Sequence, residues 1–82
     1  MNDAIRQIIE AHAQLPIEVE TLSTSTDLYQ AGMTSHASVN VMLALEDRFD
    51  LEFPDHMLKR GTFASIDAIA AALVELGATV TA

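Results

Sequence analysis

Apolar positions recur at helical spacing in several parts of the chain. Ile5, Ile8, Ile9 and His12 are three or four residues apart and share one face, which predicts a first amphipathic helix. Asn2 suits its N-cap and Asp3 its first turn. His12 reads as a helix-end residue bordering the core, and Pro16 stops any continuation. A second helix is predicted from Thr34 or Ser35 to about Phe49. Its stripe reads as Val39, Met42, Leu43, Glu46 and Phe49, widened by Val41 and Leu45, with Thr34 as N-cap. A short third helix follows, with Pro54 at its first position, Lys59 and Arg60 in its last turn and Gly61 just past its end. The fourth begins at Ser65 as N-cap with Asp67 in the first turn. Ile66, Ile69, Ala70, Leu73 and Leu76 form its apolar face, and Gly77 stops it. Residues 78–82 are expected to fray.

Between the first two helices, Gln14 to Met33 carries Thr, Ser and one Gly, with scattered Ile17, Val19, Leu22 and Leu28. This reads as a long ordered loop anchored by its apolar residues, since structureless loops of this length are uncommon in small domains. Strand-length alternation, internal repeats and low-complexity tracts are not evident. The pattern predicts an all-α bundle of three main helices plus one short helix, with a long loop between helices 1 and 2. One domain over residues 1–82 is expected, with an ordered core of about 2–77.

Composition narrows this further. The 82 residues include no Cys, so neither a disulfide nor a Cys-based zinc site can staple the fold, and the apolar half of the chain must supply the core. Twelve acids against four Lys and Arg give a net charge of −8. Such a surface repels phosphate backbones and anionic lipid, so neither nucleic acid nor membrane is an expected partner. The longest apolar stretch, Ala68 to Val74, is too short to span a bilayer. No secretory signal pattern is read at the N-terminus, and a cytoplasmic location is expected.

The charge is unevenly placed. Residues 1–33 carry a net −4, residues 46–55 another −4, and residues 56–82 balance to zero. Residues 34–45 contain no Asp, Glu, Lys or Arg. The acidic regions read as solvated surface. The neutral gap contains the adjacent pair Ser35 and His36. Neighbours on a helix do not face each other, no G-x-S-x-G elbow surrounds Ser35 and no orienting acid is evident, which argues against a hydrolase. His12, His36 and His56 have no metal-ligand spacing, and Glu46 and Asp47 point to different sides of their helix. No catalytic or metal site is therefore expected. By composition and spacing alone, Ser35 reads first as a helix cap; the alternative is an acceptor at a helix entrance whose hydroxyl another enzyme can reach. The free N–H groups there favour an added phosphate.

From Asp27 to Leu73 the chain resembles the acyl and peptidyl carrier proteins. The resemblance is carried by an ordered series: Asp27-Leu28, Gly32-Met33, Thr34-Ser35-His36, the apolar helix Val39 to Leu45 ending in Glu46-Asp47-Arg48-Phe49, then Phe53-Pro54, Phe63-Ala64-Ser65-Ile66, and Ile69-Ala70 followed by Leu73. It implies a four-helix carrier bundle, with 4′-phosphopantetheine from coenzyme A joined to Ser35 by a phosphopantetheinyl transferase. The arm's terminal thiol carries cargo as a thioester, and the chain is not itself an enzyme. The chain departs from the family at two positions, with Thr34 in place of the Asp before the serine and His36 in place of the Leu after it.

The neutral residues after Ser35 resemble most the stand-alone carriers charged with amino acids. Their ligases resemble a truncated seryl-tRNA synthetase and activate glycine or alanine with ATP. That resemblance implies an aminoacylated carrier, monomeric, which passes its cargo to a downstream acceptor enzyme. The docking face is expected at Thr34, His36, Val39, Asn40 and Leu43, with Met57, Lys59 and Arg60 from the short helix. The competing readings are an acyl carrier of a fatty-acid or polyketide-type pathway, and a non-enzymatic helical interaction domain.

Overall fold

The computed structural model describes residues 2–13, 15–16 and 18–77. Ile17 and the expected fraying of residues 78–82 lie outside them. Among the described residues there are three α-helices: α1 (Asn2–His12), α2 (Ser35–Phe49) and α3 (Ile66–Glu75). The remaining regular pieces are 3-10 turns at Val19–Thr21, Asp55–Met57 and Arg60–Phe63, and no strand occurs among the described residues. The architecture is the predicted all-α bundle. The short helix takes the form of the two successive 3-10 turns after Pro54.

The α1 helix is the central packing element, lying against both α2 and α3. Its Ile5, Ile8 and Ile9 are buried as the spacing predicts. Two sequence readings of this helix need correction. Asn2 is the first helical residue rather than the cap, and His12 is solvent-exposed. On α3, Ser65 caps as expected, its Oγ accepting from the Ala68 N–H at 3.0 Å. Ile66, Ile69 and Leu73 are buried together with Ala72.

The α2 helix corrects the sequence reading most. Its core face is Ala37, Ser38, Val41 and Leu45, while Val39 and Leu43 are 49% and 54% exposed. Apolar residues cover more than one side of this helix, so periodicity alone does not select the buried side. Ser38 tolerates burial because its Oγ donates to the Ser35 carbonyl at 2.6 Å. Glu46 is half-buried, and its Oε2 accepts from the Phe53 N–H at 2.9 Å, tying the end of α2 to the following segment. Asp50 closes the helix in the left-handed region, at φ 53°.

The long loop is anchored as its apolar residues imply. Val19, Leu22, Leu28 and Met33 are buried. The Arg6 guanidinium on α1 donates to the Val19 carbonyl at 2.8 Å. The Leu28 N–H donates to the Ala64 carbonyl at 2.6 Å, and the Asp67 N–H to the Thr24 carbonyl at 2.9 Å. These bonds fasten the loop to the entrance of α3. The Asp27-Leu28 pair thus has two jobs. Asp27 Oδ1 accepts from the Tyr29 and Gln30 N–H groups, which forms the turn, and Leu28 fills the core beneath it.

Candidate functional site

The loop delivers the chain to α2 through Gly32, whose φ of +125° suits a residue without a Cβ. A Cβ there would lie 2.9 Å from the Pro16 Cδ, so the loop also packs closely at this point. Met33 is buried and Thr34 is extended, at φ −83° and ψ 163°. The Thr34 Oγ1 accepts from the Ala37 N–H at 3.0 Å, as its expected capping role requires. Ser35 is then the first residue of α2 and is exposed to solvent. No acid lies in the first turn, so nothing opposes the positive end of the helix dipole there.

Ser35 opens onto a cleft of about 360 Å³. Val39 and Met42 on α2 form one wall, and Leu58 and Phe63 of the 3-10 segment form the other. Lys59, Arg60 and Tyr29 complete the lining. The Arg60 guanidinium lies over the Tyr29 ring, 4.1 Å from its centroid. Phe63 is held from beneath by an edge-on contact with Phe53, their ring centroids 5.2 Å apart. The site therefore offers an accessible hydroxyl, an open helix N-terminus, two cations and an apolar wall. Those properties fit 4′-phosphopantetheine, which has one anionic phosphodiester on a long, weakly polar arm.

The expected docking residues separate into groups. Thr34, His36 and Val39 are exposed around the helix entrance, with Lys59 and Arg60 exposed across the cleft. Asn40 and Leu43 border a different groove, shared with Ile8, His12 and Arg48 between α1 and α2. Ser35, Val39 and Leu43 follow at four-residue intervals, so one exposed strip of α2 begins at the serine. Met57 corrects the sequence reading: it is 5% exposed and belongs to the core, because the 3-10 turn directs it inward. The exposed apolar residue of that segment is its neighbour Leu58, at 46%. Sequence reasoning missed Tyr29 and Phe63 as cleft residues; Ser38, Met42 and Leu58 fall within the expected stretches 34–43 and 57–60 without being singled out. Tyr29 and Leu58 carried a usable signal, an aromatic and an apolar residue in polar surroundings; the others look like core.

Other chemistries find no support here. Ser35 and His36 are consecutive on the helix and diverge. Among the described residues no group of three His, Asp or Glu could hold a metal ion. No helix among them is long and apolar enough to cross a membrane.

Comparison with known proteins agrees with this geometry. Residues 3–73 match the phosphopantetheine attachment site family. The aminoacyl carrier protein of Agrobacterium fabrum is 52% identical over 69 residues, covering 84% of this chain and 83% of that protein. Among solved structures, one match is the crystal structure of an engineered Bradyrhizobium japonicum glycine:carrier protein ligase complexed with carrier protein from Agrobacterium tumefaciens and AMP. The matched chain is 49% identical with a TM-score of 0.89, over 90% of this chain and 99% of that one. A solution structure from Agrobacterium tumefaciens is 48% identical with a TM-score of 0.72, over 92% and 90% of the two chains. The chain belongs to the phosphopantetheine attachment family as a carrier protein of the aminoacyl type, a non-catalytic bundle whose prosthetic group is 4′-phosphopantetheine.

Proposed function

We propose that Ser35 bears the 4′-phosphopantetheine arm and that the arm's thiol holds glycine as a thioester, with alanine as the alternative cargo. The carrying observation is the likeness, at 49% identity and a TM-score of 0.89, to a carrier crystallised with a glycine:carrier protein ligase. The position of Ser35 supports the attachment. It is exposed, opens α2, and lies in the segment 34–45 that carries no charged residue. The chain has no cysteine, so a thiol must come from a prosthetic group.

Two kinds of enzyme act on the carrier in this reading. A phosphopantetheinyl transferase directs the Ser35 hydroxyl onto the pantetheine-side phosphorus of the coenzyme A pyrophosphate, so that the phosphodiester forms as the P–O–P bond breaks and adenosine 3′,5′-bisphosphate leaves. An ATP-dependent ligase resembling a truncated seryl-tRNA synthetase then charges the thiol, and a downstream enzyme accepts the aminoacyl group. Their docking face comprises Thr34 at the N-cap, His36, Val39, Asn40 and Leu43 on α2, and Lys59 and Arg60 across the cleft. Leu58 joins it in place of Met57. In this reading the carrier works in the cytoplasm and acts as a monomer. The apolar cleft wall of Val39, Met42, Leu58 and Phe63 favours a second reading, an acyl carrier whose chain lies in the cleft. A glycyl group has little apolar surface and gains little from burial there.

The test is direct. The arm-bearing protein is offered ATP, a glycine:carrier protein ligase and single amino acids, and the product is examined by intact mass and hydroxylamine lability. Hydroxylamine-labile glycylation supports the amino-acid reading. Loading confined to fatty acyl groups, with acyl-activating enzymes, contradicts it.

A further inference from the structure

The Ser35 cleft has a chemical character unlike the rest of the molecule. Acids outnumber cations twelve to four in this chain, yet among the described residues no acid lines the cleft and two of the four cations do. Lys59 and Arg60 are both exposed and consecutive, and both border the same cleft as Ser35. Of the other two cations, Arg6 is engaged with the Val19 carbonyl and Arg48 faces the opposite groove. A positive rim facing an accessible hydroxyl, in an otherwise negative protein, is complementary to an anion carried on that hydroxyl.

The partner of Arg60 points the same way. Its guanidinium rests on the Tyr29 ring, and among the described residues it has no carboxylate partner. A cation over an aromatic face at an exposed site is held weakly. A guanidinium hydrogen-bonded to a phosphate is held more strongly and has a matching fork geometry. Tyr29 thus keeps Arg60 at the cleft while leaving it free to exchange onto an anion. The α2 N-terminus adds its own positive end beside Ser35, with no acid in its first turn.

We propose that Lys59 and Arg60 form an anion seat for the phosphodiester of the arm on Ser35, and that Arg60 exchanges from Tyr29 onto it. The proposal rests on the reading that Ser35 carries the arm. The tether makes the contact intramolecular, so a modest attraction suffices to populate it. The seat holds the root of the arm against the rim, while the cargo at the far end has no anion to seat and remains available to partner enzymes. Lys59 and Arg60 act here as positioning residues.

The sequence supplies the probe. Tyr29 is the only Tyr and there is no Trp, so tyrosine emission comes from this one ring, and the Arg60→Gln variant isolates the part that depends on the Arg60 contact. The protein is prepared with and without the arm, as wild type and as Arg60→Gln and Lys59→Gln/Arg60→Gln. Extent of loading is read by intact mass, Tyr29 by emission, and the phosphodiester by its 31P resonance. Loading should change Tyr29 emission in the wild type and leave it unchanged in Arg60→Gln. The wild-type 31P resonance should move towards that of the double variant as salt is raised, and the double variant should be insensitive to salt. Full loading with no change in Tyr29 emission, and a 31P resonance identical in wild type and double variant, overturns the seat while leaving the attachment reading intact. Absence of any mass gain at Ser35 overturns both.

Discussion

Two leucines on α2, two residues apart, should behave as though they belonged to different proteins. Leu45 is fully buried against the core, whereas Leu43 is 54% exposed. Leu45→Ala removes buried methyl groups and leaves a cavity, a change that costs about 2–5 kcal/mol. At roughly 0.05–0.15 kcal/mol per residue the whole domain is stable by only about 4–12 kcal/mol, so Leu45→Ala should lower the urea midpoint severely. Leu43→Ala should leave that midpoint nearly unchanged, within about 0.5 kcal/mol. Its effect belongs to docking. Fully burying a leucine is worth about 1.5–3 kcal/mol, and roughly half the Leu43 side chain remains to be covered, so a partner gains about 1 kcal/mol from it. That corresponds to a rise of about fivefold in the ligase KM for the carrier, with kcat little changed. Urea denaturation followed by far-UV circular dichroism measures the first effect, and glycine loading against carrier concentration measures the second. If Leu43→Ala destabilises as much as Leu45→Ala, or leaves the KM unchanged, the assignment of the two faces is wrong.

Two further substitutions test the entrance to α2. Gly32→Ala forces a Cβ onto a φ of +125° and to within 2.9 Å of the Pro16 Cδ. It should cost at least about 1–3 kcal/mol in urea denaturation, and wild-type stability would contradict the strained turn. Thr34→Ala should cost about 1 kcal/mol by removing the cap on the Ala37 N–H. Thr34→Asp should retain the cap and add about 0.3–1 kcal/mol through the helix dipole. It should also speed loading by a broad-specificity transferase, since it restores the acid common before the serine in the resembled family. An unchanged rate would show that Thr34 already suffices.

Much of this arrangement is legible in the sequence because local chemistry dictates it. Ser65 and Thr34 cap helices wherever an extended residue precedes an apolar repeat, and Ile5, Ile8 and Ile9 have only one side to bury. The buried face of α2 was not legible in the same way. Val39, Val41, Met42, Leu43 and Leu45 place apolar groups around much of the helix, and only the packing of α1 selects Val41 and Leu45 for the core. The segment after Pro54 misled for a related reason. Pro54 and Gly61 carry helix start and stop signals, yet too few residues lie between them for an α-helix packed on its own stripe. The chain instead makes two 3-10 turns, which bury Met57 and expose Leu58. The cleft escaped sequence reading because its lining comes from the loop, α2 and the 3-10 segment, far apart in the chain. Only the fold brings Tyr29, Ser35 and Arg60 to one place.

The central claim is that Ser35 is the attachment point. The purified chain and Ser35→Ala are each incubated with coenzyme A, magnesium and a broad-specificity phosphopantetheinyl transferase, and the intact masses recorded. The account expects the wild type to gain one phosphopantetheine and Ser35→Ala to gain none. A wild type left unmodified by every transferase tried, or an equal gain in Ser35→Ala, would contradict it.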